Sequence, residues 1–362
     1  MAKLPNKKTT VELIDEILEK ENDSKLEPYR GHLGASVIGR ECERELWYSF
    51  RGVERVHHEG RILRLFDRGN REEESLVEYL RKAGVVVHDV DSKGAQFTFS
   101  KIGGHFGGSM DGAGKGFAEA PATWHVVEFK TSGSKAFKSL VKNGVKKSKP
   151  EHYIQMQLYM KFSGMRRAFY LAVNKDNDEL YSERIKYDSS VAKENLEKAR
   201  RIITSQNPPA KISEDPSWYQ CKFCDYPETC HRKKMPTLSC RTCLHATPEV
   251  DGENGRWSCA YRDIKNIPKE LQAKGCYDHR YIPKLITFAE VVDASSEKNY
   301  VEYELPDGRR FRNGYIADGG GFESSAIQGG ELSKWIDSSV EERASNDLVK
   351  NLETNFDGTL DV

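Results

Sequence analysis

Two stretches decide the fold class of this chain: HFGGSMDG at residues 105–112 and WHVVEFK at residues 124–130. In the second stretch, apolar and charged residues alternate, so a strand would place Glu128 and Lys130 on one face and their apolar neighbours on the other. In the first stretch glycines flank Asp111, which favours a strand or turn that backbone or a ligand approaches closely. An unpaired ion is costly to bury, so two charged residues in an apolar strand indicate a site.

Short strand patterns continue outward from this centre over residues 85–190. Helical patterns lie at 36–50 and 61–82 before them, near 150–163 among them and at 189–205 after them. The sequence therefore predicts an α/β fold with a central mixed sheet flanked by helices.

Composition sets a limit on partners and location. Lysine plus arginine and aspartate plus glutamate number 56 each, so net charge gives no evidence of a polyanionic partner. Charge is clustered, however, because residues 130–149 contain seven lysines and no acid. No apolar run approaches the ~20 residues that span a bilayer, and the start lacks the apolar core of a secretory signal. We expect an intracellular, cytoplasmic protein that makes no membrane contact.

The carboxylates and the lysine suit metal-assisted hydrolysis of a phosphodiester. Asp111 and Glu128 could converge on one hard divalent cation, which takes oxygen ligands. Lys130 could orient a water molecule or neutralise developing charge. The alternative is that Glu128 and Lys130 form a surface ion pair on an edge strand.

Two helices add further candidates. Glu73 lies in the middle of the apolar face predicted for residues 61–82, where it needs a metal or a core arginine or lysine as partner. Gln155 and Tyr159 are one turn apart on the helix near 150–163. Gln155 is equally interpretable as a satisfied core amide.

The motifs together resemble the RecB-type branch of the PD-(D/E)XK nuclease superfamily over about residues 30–232. In chain order they are Glu73, Gly108-x-x-Asp111, Glu128-x-Lys130 and Gln155-x-x-x-Tyr159. Met110 stands where the proline of the superfamily name would be. The resemblance implies a restriction-endonuclease-like core.

The resemblance also implies roles for these residues. Magnesium or manganese would be bound by Glu73, Asp111, Glu128 and the backbone carbonyl of Phe129. Lys130 would position or activate the attacking water, and Gln155 and Tyr159 would shape the site and contact DNA.

Eight cysteines fall into two sets, and Cys-x2-Cys pairs in a large chain without a secretory signal favour metal ligation over disulfides. The first set resembles the iron-sulfur arrangement of AddB and of CRISPR-associated RecB-type nucleases, and comprises Cys42, Cys221, Cys224 and Cys230. The resemblance implies a 4Fe-4S cluster. The alternative is zinc held by the last three of these cysteines and His231, with Cys42 filling the apolar face of a helix.

The second set is read as a structural zinc site and comprises Cys240, Cys243, Cys259 and Cys276. His245 or His279 could replace one of these cysteines. Whether this module binds DNA, binds protein or only braces the fold is open.

The lysine block is predicted to hold DNA phosphates beside the cleft, without sequence specificity. It comprises Lys135, Lys138, Lys142, Lys146 and Lys147. Because no base-reading motif stands out, we expect a metal-dependent DNA exonuclease of recombination, repair or phage DNA processing. A recombinase, helicase or single-strand-binding protein is the kind of protein partner expected. The alternative is an inactive nucleic-acid-binding scaffold whose metal modules recruit partners.

These features predict four segments. Residues 1–30 form an amphipathic helix and linker, with a capping box at Thr9 and Glu12. Residues 31–232 form the nuclease domain closed by the iron-sulfur site, and residues 233–285 the zinc module. Residues 286–362 form a hairpin, whose turn is Pro-Asp-Gly, and an acidic tail.

Overall fold

The structure, a computed structural model, describes residues 8–25, 30–314 and 321–337. The chain divides into two compact units. Unit 1 comprises Met1–Glu41, Val56–Ile203 and Val250–Gly255. Unit 2 comprises Cys42–Arg55, Thr204–Glu249 and Arg256–Val362. These limits differ from the predicted segment boundaries, and the four-segment division stays a prediction.

The helices are α1 (Thr10–Lys25), α2 (Glu43–Arg51), α3 (Gly60–Lys82), α4 (Ser134–Ser148), α5 (Pro150–Ser163), α6 (Ser189–Thr204), α7 (Tyr219–Lys222), α8 (Pro227–His231), α9 (Lys269–Gln272), α10 (Ser324–Gln328) and α11 (Glu331–Asp337). Short 3-10 helices lie at Cys240–Thr242 and Pro283–Leu285. The strands are β1 (Leu33–Gly34), β2 (Val86–His88), β3 (Thr98–Lys101), β4 (Phe106–Ser109), β5 (Gly112–Lys115), β6 (His125–Ser132), β7 (Arg167–Asn174), β8 (Leu180–Lys186), β9 (Ala246–Pro248), β10 (Trp257–Cys259), β11 (Glu290–Ser295), β12 (Tyr300–Glu304), β13 (Arg310–Asn313) and β14 (Gly321–Phe322).

Unit 1 is built on a five-stranded sheet in the order β2-β5-β6-β7-β8. The pair β6–β7 is parallel and the other neighbours are antiparallel, so the sheet is mixed, as predicted. Burial along β6 and β7 is nearly continuous, which is typical of central strands covered on both faces. A second sheet of three strands has the order β1-β4-β3.

Helices cover both faces of the five-stranded sheet. Val127 and Phe129 of β6 join one buried cluster with Leu76 and Val77 of α3. On the opposite face α5 packs against β6 and β7. The predicted α/β class and the alternation along residues 124–130 are therefore confirmed.

Two helix predictions need correction. Helix α2 begins at Glu43 rather than near residue 36, because turns occupy the preceding residues. Gly39 lies there against α5, where a Cβ would meet the Glu151 Cα at 2.7 Å. Cys42 is the N-cap of α2, so the expectation that it lies on the apolar face of a helix is wrong. The apolar face predicted along residues 61–82 is buried only in part. Leu76 of α3 is buried, whereas Phe66 is 50% exposed.

Two turn and cap predictions are confirmed. At the start of α1, the backbone N–H of Thr9 donates to the Glu12 carboxylate at 2.7 Å, and the Glu12 N–H donates to the Thr9 hydroxyl at 3.3 Å. In unit 2, β12 and β13 form the antiparallel hairpin around Pro-Asp-Gly.

Unit 2 contains the cysteines and a second core, which includes Tyr281, Tyr303 and Phe311. Its four-stranded sheet has the order β11-β12-β13-β14. Of the acidic tail predicted within residues 286–362, the part beyond residue 337 lies outside the described residues. Within the described residues, none of the helices has the length and apolar character needed to cross a bilayer.

Candidate active site

Asp111 lies where the chain leaves one sheet of unit 1 and enters the other. It follows β4 and directly precedes β5, and its Oδ2 accepts a hydrogen bond from the Phe129 backbone N–H at 2.8 Å. The hydrogen-bond ladder between β5 and β6 ends at the pair Gly112 and Val127. The next β6 N–H that faces β5 is that of Phe129, and the Asp111 side chain accepts its hydrogen bond. Gly112 is needed beside it, because a Cβ there would lie 2.9 Å from the His88 carbonyl oxygen.

Glu128 and Lys130 meet Asp111 from the middle of the sheet. The Lys130 Nζ donates to the Glu128 Oε1 and, at 3.0 Å, to the Phe129 carbonyl oxygen. The same Nζ lies 3.9 Å from the Asp111 Oδ2. Glu128 is 0% exposed and β6 is an inner strand, so the alternative of a surface ion pair on an edge strand is wrong.

The charges at this site are strongly coupled. Burial raises the pKa of Glu128, and the neighbouring charges of Asp111 and Glu73 act in the same direction while Lys130 opposes them. Burial alone would lower the pKa of Lys130, but Glu128 and Asp111 outweigh it and raise that pKa. The Glu128 Oε2 is buried and has no hydrogen-bond partner among the described residues. A buried carboxylate oxygen without a donor is what a bound cation would satisfy.

Glu73 of α3 belongs to the same electrostatic cluster. Burial raises the pKa of Glu73 to about 7, and Asp111 adds to the rise while Lys130 opposes it. The structure thus brings Glu73 into the field of the other candidates, as its place on the helix predicted.

Gln155 and Tyr159 lie on α5, on the side of the sheet that carries Glu128. The Gln155 amide donates to the Tyr159 hydroxyl at 2.9 Å, and both side chains are buried. Burial, followed by the charge of Glu128, raises the pKa of Tyr159. The Gln155 amide is satisfied within the core, and Tyr159 also lies in the field of Glu128 and Asp111.

Two residues beside Lys130, His152 and Tyr170, were not predicted from the sequence. The His152 Nδ1 lies 2.9 Å from the Tyr170 hydroxyl, and Tyr170 is paired in register with Glu128. Burial lowers the pKa of His152 to about 3, with Lys130 adding to the effect. The available signal was that His152 precedes Gln155 by three residues on one helix and so shares its face.

The predicted DNA-binding lysines lie on α4, which follows β6 directly. All five are exposed: Lys135, Lys138, Lys142, Lys146 and Lys147. Gly144 has a φ of 74° and kinks the helix before the last two. No ion pair of these lysines occurs within the described part of the chain.

The first set of cysteines lines one small cavity in unit 2, together with His231; the set is Cys42, Cys221, Cys224 and Cys230. The Tyr226 backbone N–H donates to the Cys224 Sγ at 3.4 Å. Burial raises the pKa of the Cys224 thiol to about 12, and this hydrogen bond opposes the rise.

A second small cavity in unit 2 is lined by Cys240, Cys243, Cys259 and Cys276, together with His245 and His279. Burial raises the pKa of the Cys243 thiol to about 11, opposed by hydrogen bonds from the backbone N–H groups of Arg280 and His245. The His245 Nε2 contacts the Asn299 Oδ1 at 2.8 Å.

All eight cysteines are free thiols. In residues 8–25, 30–314 and 321–337, no group of three or more His, Cys, Asp or Glu side chains is arranged to hold a metal ion. Asp111 and Glu128 supply only two such side chains, and the other oxygen group beside Lys130 is the backbone carbonyl of Phe129.

Neither a protein-family model nor a curated protein matches the sequence. Among solved structures, the chain is similar to the alkaline exonuclease LHK-Exo from Laribacter hongkongensis, with 19% sequence identity over 52% of this chain and 90% of that chain, and a TM-score of 0.36. For LHK-Exo in complex with dAMP the identity is 20%, the coverage 48% and 86%, and the TM-score 0.36. For SSO0001 the identity is 15%, the coverage 62% and 96%, and the TM-score 0.37. At these values the function has to be argued from the side chains.

Proposed function

We propose that this chain is a metal-dependent deoxyribonuclease whose active site is formed by Asp111, Glu128 and Lys130. The observation that carries the proposal is the fully buried Glu128, which has one oxygen without a partner among the described residues and lies beside a second carboxylate and a lysine. Such a group is expensive to keep for stability alone. Strongly perturbed carboxylates are typical of functional sites.

Magnesium or manganese fits this donor set, because hard divalent cations prefer carboxylate and carbonyl oxygens. The ion would be held by Asp111, Glu128 and the carbonyl of Phe129, with Glu73 as a further ligand. When bound, it would supply Lewis-acid stabilisation of the scissile phosphate and activation of water.

The protein's own groups then have separate tasks. The hydrogen bond that Asp111 Oδ2 accepts from the Phe129 N–H orients the carboxylate at the end of the β5–β6 ladder. The Lys130 ammonium, bound to Glu128 and to the Phe129 carbonyl, is placed to orient a water molecule and to offset charge on the phosphate.

Gln155 and Tyr159 support the site from α5. Their mutual hydrogen bond limits the rotamers available to both, so they fix the wall of the site next to Glu128. Contact of either residue with DNA is part of the same proposal.

DNA would be held by phosphate contacts rather than by base recognition. The exposed lysines of α4 follow Lys130 directly and have no described ion pairs, so they are available to phosphates. This favours an exonuclease or structure-dependent nuclease of recombination, repair or phage DNA processing. A recombinase, helicase or single-strand-binding protein would be its partner.

We further propose a 4Fe-4S cluster on the first set of cysteines and a structural zinc ion on the second. The support is that each set lines one cavity and that backbone N–H groups donate to Cys224 and Cys243, the second cysteine of each Cys-x2-Cys pair. Such donors stabilise thiolates, the form that binds metal. The alternative at the first set is zinc with His231.

Cleavage of end-labelled linear DNA and of covalently closed circular DNA tests the nuclease proposal. The proteins compared are wild type, Asp111→Asn, Lys130→Ala and, as a control, Asp91→Asn, each with magnesium or manganese. We expect loss of linear DNA only, abolished in the first two variants and unchanged in the control. Cleavage of circles would instead indicate endonuclease action.

An inactive wild type in both metals, or equal cleavage by Asp111→Asn, would refute the proposal. The chain would then be a nucleic-acid-binding scaffold.

The cysteine sites are tested by visible absorption and by iron and zinc analysis of anaerobically purified protein. Iron together with visible absorbance is expected for a cluster, and two zinc ions with no iron would favour the alternative.

A further inference from the structure

An open groove of about 600 Å³ lies on unit 1, outside the carboxylate site. Its lining includes His88 of β2, Phe97, Trp124 and Arg166. We call it the His88–Trp124 groove. Neither the carboxylate site nor the α4 lysines use these residues.

The groove lies two residues along β5 from Asp111. Ala113 of β5 lines the groove and is paired in register with His88 on one side and with Val126 on the other. Asp111 precedes Ala113 by two residues, a rise of about 7 Å along a strand. Trp124 is the residue immediately before β6 and precedes Glu128 by four residues, which is about 13 Å at the same spacing.

Aromatic rings form the floor of the groove. Trp124 is 39% exposed, and its ring stacks on His88 with centroids 5.6 Å apart and an interplanar angle of 27°. His88 is also exposed. A large exposed ring pair is a platform on which a nucleobase can continue the stack, whatever its identity.

Cations border these rings and lack carboxylate partners. The Lys115 Nζ lies 5.9 Å from the centroid of Trp124. Arg166 lies in the lining and over Tyr187. In the described part of the chain, no ion pair joins either of these two cations to an acid, so their charge is available to phosphates.

We propose that the His88–Trp124 groove binds single-stranded DNA, with a nucleobase stacked on Trp124 and the backbone held by Lys115 and Arg166. Aromatic rings interleaved with unpaired cations are the chemistry that single strands require, whereas a duplex hides its base faces. The proposal rests on the nuclease function of the carboxylates, which project from the same face of the sheet as Trp124 and Ala113.

The test measures binding without cleavage. Fluorescence anisotropy with a labelled oligothymidylate of fifteen nucleotides, in EDTA, compares wild type with Trp124→Ala, Trp124→Phe and Lys115→Ala. The control is Tyr79→Ala, which removes another exposed ring, 54% exposed, from the same unit. Melting temperatures are recorded for every variant, so that a loss of binding is read only from folded protein.

We expect Trp124→Ala to weaken Kd by about 5- to 150-fold, the value of one base stack of about 1–3 kcal/mol. Trp124→Phe should recover most of the loss, and Lys115→Ala should lower the salt slope by about one. Tyr79→Ala should change Kd by less than twofold. Binding by Trp124→Ala within twofold of wild type overturns the proposal, and so does an equal loss for blunt duplex DNA. If Trp124→Ala does not fold, Kd and the salt slope of Lys115→Ala decide alone.

Failure of the groove is distinguishable from failure of the active site. A protein that cleaves DNA through Asp111 but binds the oligonucleotide without Trp124 refutes only the groove. A protein that binds through Trp124 but never cleaves refutes the nuclease proposal and leaves a single-strand-binding surface.

Discussion

The hydrogen bond between Asp111 and Phe129 separates the structural role of this aspartate from its proposed chemical role. Asp111→Ala removes the acceptor of the buried Phe129 N–H at the point where β5 and β6 separate. Asp111→Asn keeps an oxygen acceptor in the same place but removes the charge. The two variants should therefore differ in stability and agree in activity.

The expected change in stability follows from one unsatisfied N–H in Asp111→Ala and from one lost charge in Asp111→Asn. A buried donor without a partner costs about 1–3 kcal/mol. Unit 1 has about 195 residues. For a domain of this size about 1 kcal/mol shifts Tm by about 2–4 °C, so Asp111→Ala should melt about 2–12 °C below wild type. For Asp111→Asn, lost repulsion from Glu128 and lost attraction to Lys130 act in opposite directions, and Tm should change by less than about 2 °C.

Thermal unfolding in EDTA, followed by circular dichroism, measures the stability of each variant. Single-turnover cleavage of linear DNA with manganese measures activity, which should fall at least about 100-fold in both variants. The matched control is Asp91→Asn, since the Asp91 carboxylate also accepts backbone N–H groups, those of Lys93 and Ala95, but lies in an exposed turn.

Two results would refute this reasoning. Equal melting temperatures for Asp111→Ala and wild type would mean that the Phe129 N–H does not depend on the carboxylate. Cleavage by Asp111→Asn within tenfold of wild type would mean that the charge of Asp111 is not needed for the reaction.

Three further predictions concern other parts of the chain. Lys130→Ala should lower kcat by about 10²–10³ with little change in KM. Lys142→Ala should instead raise Kd for all DNA sequences and lower the salt slope of binding by about one. Steady-state kinetics and binding titrations over a range of salt concentrations would separate the two effects, and similar effects of both substitutions would contradict the prediction. Cys243→Ser should lose one equivalent of zinc by metal analysis and melt at lower temperature, while an unchanged zinc content would exclude Cys243 as a ligand. Burial lowers the pKa of His125, so the folded state favours its neutral form and loses stability as pH falls below about 6.5. Urea unfolding at pH 7.5 and 5.5 should show a smaller loss of unfolding free energy for His125→Gln than for wild type. An equal loss in both proteins would remove His125 as a cause.

Local patterns in the sequence were enough for several elements and for part of the site. Alternation along β6 predicted the shared face of Glu128 and Lys130, because side chains of a strand alternate regardless of what surrounds it. The capping box of α1 and the Pro-Asp-Gly hairpin follow equally from residues only a few positions apart. The α/β class came from the order of such local patterns.

Features that depend on strand pairing and packing became visible only in the folded chain. The inner position of β6 makes Glu128 a buried group, and the pairing of β6 with β7 brings Tyr170 and His152 beside Lys130. The start of α2 was misjudged because the close packing of Gly39 on α5 involves residues about 110 positions apart. The groove at Trp124 likewise combines β2, β5 and the residues after α5. Local sequence patterns are sufficient to predict which residue types alternate along each segment. Contacts between distant segments determine which of these residues meet, because no local periodicity encodes the order of strands in a sheet.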